Sequence, residues 1–444
     1  MQDTRDNFRD LAAKAVRLHE SGRLDSAAAA YHEILALHPQ HAAALQNLGI
    51  IAAVQGEHRS AIAYFDKALA VDDRYLPAHF HRAISLEALG KADDAIAGHQ
   101  RVSRLDPGHY EAHRRLGFLW LAKGDIGRSL DHFGRTYELR RGEDRSRMAA
   151  RSLTHATRAK LLHDAEQFRA LALDRPHCTR FAELAHAYEA LARDFPEAPT
   201  ELTDTQIQFL GEDYNAAIYS ADAPELEGPV LAPRPGTDGK GLGFDTGVPD
   251  VVVLDDFLAP EALRNLHRYL LASTIWHDFT HIPGHVASYL EDGLACPLLL
   301  QIADAARRSF PDVLGPHPLN QAWAFKGLRA GSAIGAHADD AVISINLWLT
   351  PHAANAGPEG GMTVCLEPPP PEWHVDAYAK DEARSTAFMD LHAGNSAKVA
   401  YRENRAVMFH SRLLHRTDDP QFRPGYENHR LNITLLFGTG TLPN

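Results

Sequence analysis

Cysteine is scarce, with three among 444 residues, Cys178, Cys296 and Cys365. They are isolated, odd in number and without a CxxC spacing, so neither a disulfide framework nor a structural zinc site has support, and a reducing cytoplasm fits best. Positive charge is in deficit too: 45 Lys and Arg stand against 58 Asp and Glu, a formal net charge of −13. With no long basic run, nucleic acid and anionic membrane surfaces are poor partners for the whole chain. No stretch of about eighteen apolar residues occurs, and Met1-Gln2-Asp3-Thr4-Arg5-Asp6 lacks the apolar centre of a signal peptide, so a soluble, cytoplasmic protein is expected. Two common catalytic signatures are also missing. No Gly-x-Ser-x-Gly elbow surrounds Ser411, which removes the hydrolase reading, and there is no Gly-Lys-Ser/Thr phosphate loop.

What is present begins with a repeat. Residues 8–141 recur with a period of 34 residues: Gly22, Gly56, Gly90 and Gly124 stay in phase, as do Ala27, Ala61, Ala95 and Ser129, then Tyr31, Phe65, His99 and Phe133, with Pro39, Asp73 and Pro107 at the repeat ends. Glycine can end the first helix of each pair through a left-handed cap, and the small residue lets the second helix approach closely. The large residue fills the space between units, and Pro or Asp breaks the second helix. These four units resemble tetratricopeptide repeats, with His99 a local departure from the aromatic column. The resemblance implies a helical solenoid with a concave groove that takes a protein or peptide, with Gln46, His81, Glu87, Arg114 and Arg115 as groove candidates or as plain solvated helix positions.

Residues 142–195 remain helical in composition but leave the period; amphipathic patterns at 148–171 and 180–191 suggest a helical pair capping the repeat stack. Residues 196–249 turn rich in Pro, Gly, Thr and Asp and read as a linker that wraps one domain. A second domain is expected over 250–440. It opens with a strand at 251–258 and helices at 259–272 and 297–309, and then strands at 321–328, 341–349, 362–366, 396–401, 406–409 and 431–437 suggest a sandwich or barrel.

The chemistry is concentrated between residues 331 and 430. His337-Ala338-Asp339 follows the turn Gly331-Ser332-Ala333-Ile334-Gly335 and precedes the strand at 341–349. His-x-Asp/Glu is not specific by itself: 27 His and 58 acidic residues in 444 give about three or four matches by chance. Three occur, His109-Tyr110-Glu111, His337-Ala338-Asp339 and His374-Val375-Asp376, but only the middle one stands at a turn-to-strand junction with histidines downstream. Two histidines and one carboxylate with open positions suit Fe(II).

In this order of features the second domain resembles the Fe(II) and 2-oxoglutarate-dependent oxygenases of the prolyl-hydroxylase-like branch. The shared features are an opening strand and helix, His-x-Asp, a Gly360-Gly361-Met362-Thr363 turn, a distal His and a basic residue on the last strand. The resemblance implies a multidomain α + β chain, with an N-terminal α-helical tetratricopeptide solenoid and a C-terminal double-stranded β-helix, or jelly roll. It implies that His337, Asp339 and His415 hold Fe(II), that Arg430 grips the far carboxylate of 2-oxoglutarate as cosubstrate with O2, and that a C–H bond is hydroxylated.

Alternatives stay open at several positions. His410 competes with His415 as distal ligand, and Arg412, Arg416, Arg423 and His429 compete with Arg430. Alternation along the last strand places Arg430, Asn432 and Thr434 on one inward face. Asn346, Trp348, Lys326 and Tyr401 are candidate pocket residues, with Asn346 the one assigned to the cosubstrate, and Pro368-Pro369-Pro370-Pro371 reads as a stiff rim. The expectation is a dioxygenase acting on a protein or peptide side chain recruited by the repeats. A tetratricopeptide adaptor with a silent oxygenase-like domain is the alternative from another class, and a cupin-like metal enzyme that needs no 2-oxoglutarate is a third.

Overall fold

The structure is a computed structural model describing residues 2–142, 154–233, 251–328, 333–370, 373 and 381–439, with side chains from residue 8 onward. Four expectations fall partly or wholly outside these residues: the helical start at Met148, the linker from 234 to 249, the glycine end of the turn at Gly331-Ser332, and His374-Val375-Asp376 with Pro371. The chain forms two compact units, Met1–Leu119 and Trp120–Asn444.

The first unit contains α1 (Gln2–Glu20), α2 (Leu24–Leu37), α3 (Ala42–Val54), α4 (His58–Val71), α5 (Leu76–Ala88), α6 (Ala92–Leu105) and most of α7 (Tyr110–Ala122). Gly56 joins α3 to α4 at φ +80°, the left-handed cap that the repeat pattern requires, and Gly22 and Gly90 do the same at their junctions. Ala27, Ala61 and Ala95 are fully buried beside Tyr31 and Phe65. The third repeat puts His99 in the aromatic column, and its Nε2 lies 2.5 Å from the Glu87 carboxylate, which also accepts from Arg115 Nη1 at 3.1 Å. A buried imidazole is tolerated there because a carboxylate meets it.

The second unit starts with the end of α7 and α8 (Ile126–Arg141), where Gly124, Ser129 and Phe133 repeat the same roles. A helical pair follows, α9 (Arg158–Asp174) and α10 (Thr179–Ala192), around a core of Leu161, Phe168, Phe181 and Tyr188. This pair, expected as a cap for the repeats, fastens to α12 (Pro260–Ala272), because Gln167 Nε2 donates to the carbonyls of Leu271 and Ser273 at 3.2 and 2.8 Å. The described part of the linker, 196–233, is a packed wrap. It carries α11 (Asp204–Leu210), buries Leu202, Leu210, Tyr214, Ala221 and Val230, and bridges Leu231 to Leu258.

A short antiparallel ladder pairs β1 (His155–Ala156) with β2 (Thr200–Glu201), and two larger antiparallel sheets complete the unit. The larger contains β3 (Val251–Leu254), β4 (His285–Tyr289), β5 (Leu319–Gly327), β6 (Ile343–Trp348), β9 (Ala406–His410) and β11 (Arg430–Phe437), in the order β3-β9-β6-β11-β5-β4. The smaller contains β7 (Met362–Cys365), β8 (Ser396–Val399) and β10 (His415–Thr417), in the order β10-β7-β8, and His337 adds to its edge through a bridge to His415. Trp348, Val407 and Phe409 of the larger sheet meet Met362, Val364 and Val399 of the smaller in one core. β11 is buried along its whole length, as a strand covered on both faces should be.

Helix α13 (Pro297–Ser309) falls where the sequence places it. Besides β1, β2 and α11, three elements escape the sequence reading. β10 is three residues long, β4 is a short run behind Pro283-Gly284, and α14 (Glu382–Leu391) buries only Ser385 and Met389, so none carries a clear period.

Candidate metal and carboxylate site

At the smaller sheet's edge the backbone brings two histidines side by side. His337 N donates to His415 O at 3.0 Å and His415 N to His337 O at 2.8 Å, so the imidazoles stand with centroids 4.2 Å apart. Asp339, two residues on, is anchored by its own N–H to Ser411 O at 2.9 Å. One ligand atom from each of His337, Asp339 and His415 falls within 4.8 Å of the others. Each imidazole directs Nδ1 at a carbonyl, His337 at Gly335 O (2.8 Å) and His415 at Leu413 O (3.0 Å). Nδ1–H therefore donates, and both Nε2 lone pairs face Asp339, whose oxygens lie 4.0 and 3.8 Å away.

The carboxylate is positioned as well. Ser344 Oγ donates to Asp339 Oδ2 at 2.6 Å and lies 2.8 Å from Ser411 Oγ, so the serine next to His410 supports the acid. Burial, then the neighbouring His337, lowers the His415 imidazole to about 4, which keeps Nε2 unprotonated at neutral pH. Asp339 and His415 are buried while the His337 side chain remains 33% exposed, which gives the group one open flank. Two imidazoles that present Nε2 and a carboxylate, each held by an outer hydrogen bond, fit a divalent metal.

A second polar feature lies on the same inward face. β11 pairs Thr434 with Asn346 and Asn432 with Trp348, so Arg430, Asn432 and Thr434 share the face of Asn346 and Trp348. Arg430 is buried: its Nε donates to Gly360 O and its Nη1 to Asn432 Oδ1, both at 3.0 Å, and Trp348 lies under the guanidinium. Gly360 offers that carbonyl from a backbone at φ +103°, which explains the glycine turn before β7. Burial pulls the guanidinium down to about 10, still charged at neutral pH, and among the described residues no carboxylate lies within ion-pair distance of it. The buried Asn346 Oδ1 and Trp348 Nε1 also find no hydrogen-bond partner among the described residues. A buried charge and two polar atoms without partners on one face leave hydrogen-bonding capacity that the protein itself does not use.

His337, Asp339 and His415 come together, and Arg430, Asn346, Trp348 and Tyr401 lie inside. His410 does not join them; it alternates with the inward Phe409 to the sheet's other face, near Val342 and His317. Arg416 pairs with Asp390 and His429 with Glu166. Lys326 corrects an expectation. It pairs with Leu431, one residue out of phase with Arg430, so its Nζ leaves the interior for His163 Nε2 (3.2 Å) and Tyr426 Oη (2.8 Å). Sequence reasoning missed Ser344, which fixes the acid, and His285 on β4. No alternation in His285-Val286-Ala287-Ser288-Tyr289 marks His285, since four of the five are buried in succession.

Among known proteins, the family described as tetratricopeptide repeat matches residues 13–75. That match, with the capped glycines and buried columns, makes the N-terminal part a tetratricopeptide repeat region. No curated protein matches the chain. Among solved structures, MamA from Desulfovibrio magneticus RS-1 is 22% identical over 31% of this chain and 77% of its own, with a TM-score of 0.29. The first repeat domain of Spaghetti (RPAP3), bound to an HSP90 peptide, is 22% identical over 26% of this chain and 93% of its own, at 0.26. An O-GlcNAc transferase variant of Thermobaculum terrenum is 22% identical over 29% of this chain and 26% of its own, at 0.27. Scores of this size carry no weight for function. Among the described residues no helix is long and apolar enough to cross a membrane.

Proposed function

We propose that the chain is an Fe(II)- and 2-oxoglutarate-dependent dioxygenase that hydroxylates a C–H bond, on a protein or peptide side chain recruited by the tetratricopeptide repeats. The observation that carries the reading is the pairing of two features in one sheet pair: the His337, Asp339 and His415 group, and a buried Arg430 with no ion-paired carboxylate among the described residues. The connectivity supports it. From β5 the chain passes to the His337 edge of the smaller sheet, back to β6, out to β7 and β8, and then through β9, β10 and β11, a repeated crossing between two sheets that favours the double-stranded β-helix reading.

When bound, the metal with 2-oxoglutarate and O2 supplies the oxidation, giving succinate and CO2 and placing one oxygen atom in the substrate C–H bond. The chain's part is positioning. His337 and His415 offer Nε2 because Gly335 and Leu413 hold Nδ1, and Ser344 holds the Asp339 carboxylate. Arg430 can grip a carboxylate through parallel N–H donors, a geometry that lysine lacks. Trp348, Val407 and Phe409 form an apolar wall that excludes water.

The test is calorimetric titration with Mn(II) as the redox-silent ion, followed by 2-oxoglutarate. One ion per chain should bind, at least about tenfold more weakly in His337→Ala and His415→Ala, and unchanged in His410→Ala. The adaptor reading stands second. Taken alone, the comparisons fit it better, since the family match falls in the repeats. A chain that binds neither Mn(II) nor 2-oxoglutarate is that adaptor.

A further inference from the structure

We infer that His285 and Arg430 together form the carboxylate subsite, with the missing side chain of Gly327 as the opening between them. The ligand group is the distal carboxylate of a dicarboxylic 2-oxo acid, so the inference rests on the oxygenase reading. Strand pairing sets the arrangement: His285 of β4 pairs with Gly327 of β5, which pairs with Arg430 of β11, so the three lie in one row on one face. A Cβ built on Gly327 would stand 3.6 Å from His285 Nε2 and 3.8 Å from Arg430 Cβ, so the glycine leaves open a slot bounded by both side chains.

Both flanking groups are nearly inaccessible, His285 at 3% and Arg430 at 4% exposure, and each keeps an unused nitrogen. His285 Nδ1 lies 3.3 Å from Pro283 O, while Nε2 has no hydrogen-bond partner among the described residues. Arg430 uses Nε and Nη1 and leaves Nη2 unused among them. Burial and the charge of Arg430 hold the imidazole down at about 4, against the Pro283 carbonyl, so the free site is neutral at His285. Of the groups packed against His285, Phe325 and Gly327 of β5 bring no charge, and Arg430 of β11 brings the cation.

With Nδ1–H committed to Pro283, an entering carboxylate would face the bare Nε2 lone pair. It offsets Arg430 and draws a proton onto Nε2, so that the imidazolium and the guanidinium each donate to one carboxylate. Binding of the dicarboxylic acid is then linked to uptake of a proton, and it tightens as pH falls.

The experiment titrates 2-oxoglutarate, and 2-oxobutyrate as the same head group without a second carboxylate, into Mn(II)-loaded wild type, Arg430→Ala, His285→Phe, His285→Gln and Gly327→Ala, in buffers of differing ionisation enthalpy. His285→Phe and Gly327→Ala should each weaken 2-oxoglutarate about tenfold or more while leaving 2-oxobutyrate unchanged. His285→Gln should recover part of the affinity and lose the proton uptake. Gly327→Ala keeps its fold, since both new contacts are ordinary van der Waals distances. If Arg430→Ala loses 2-oxoglutarate but His285→Phe and Gly327→Ala bind it as wild type does, the subsite is Arg430 alone and the inference is overturned. Equal loss of both acids in the variants also overturns it, as general damage. A wild type that takes neither acid removes the oxygenase reading and this subsite with it.

Discussion

Lys326 and Gly327 are neighbours with opposite roles because one residue of strand register exchanges the two faces of a sheet. The glycine opens the interior. The lysine is driven into a buried cluster against α9, its Nζ 4.3 Å from the ring centroids of Trp276 and Tyr426, and burial pushes its ammonium well below the usual range. An apolar side chain of similar length should serve as well there: Lys326→Met is expected to match or exceed wild-type stability, by up to about 2 kcal/mol in chemical denaturation. The neighbouring ion pair behaves differently. Asp164 is the carboxylate partner of the buried Lys160, and Asp164→Asn should cost about 3–5 kcal/mol by leaving that cation unmatched. Titration adds a pH prediction. Burial lowers His267 and His285 to about 4 and holds His163 and His277 well below the usual imidazole range, whereas the unfolded chain takes these protons near about 6.5. The unfolded state thus binds more protons below that value, so stability should hold above pH 6.5 or so and decline as pH falls toward 4. A denaturation midpoint that stays level across that window would contradict this.

Among the elements, legibility followed period and length. The 34-residue repeat was readable because each column answers one packing need, and the structure buries Ala27, Ala61 and Ala95 where the pattern requires small residues. Gly56 at φ +80° gives a direct check: Gly56→Val places a β-branched side chain in the left-handed region and should destabilise the chain by about 1–2 kcal/mol, read as a lowered thermal midpoint. His99 was legible as a departure, but its reason lies in α5, where Glu87 supplies the partner. In the second unit, long strands with β-branched content could be placed, and β11 showed its inward parity. The pairing of β4 with β5 could not be seen, because a five-residue strand separated from its partner by α13 leaves no local signal. For that reason His285 escaped while Arg430 did not.

Taken as a whole, the molecule joins a tetratricopeptide array to a pair of facing sheets that bring together residues spaced from 285 to 430. The order His337, Asp339, a distal histidine and Arg430 was visible in the sequence, because each lies beside a strand or turn with its own pattern. The choice between His410 and His415 was not, since it depends on which residue of β9 faces inward, and that is fixed by its pairing with β6. The proposed division of labour, recruitment by the repeats and oxidation between the sheets, is tested most directly by succinate formation from 2-oxoglutarate. The protein is loaded anaerobically with Fe(II), and air is then admitted. The account predicts slow, oxygen-dependent succinate release by the wild type, lost in His337→Ala and in His415→Ala and retained in His410→Ala. Succinate release that is the same in wild type and in both ligand variants, or none from a wild type that also binds neither metal nor 2-oxoglutarate, would contradict it and leave the repeats as the functional part of the chain.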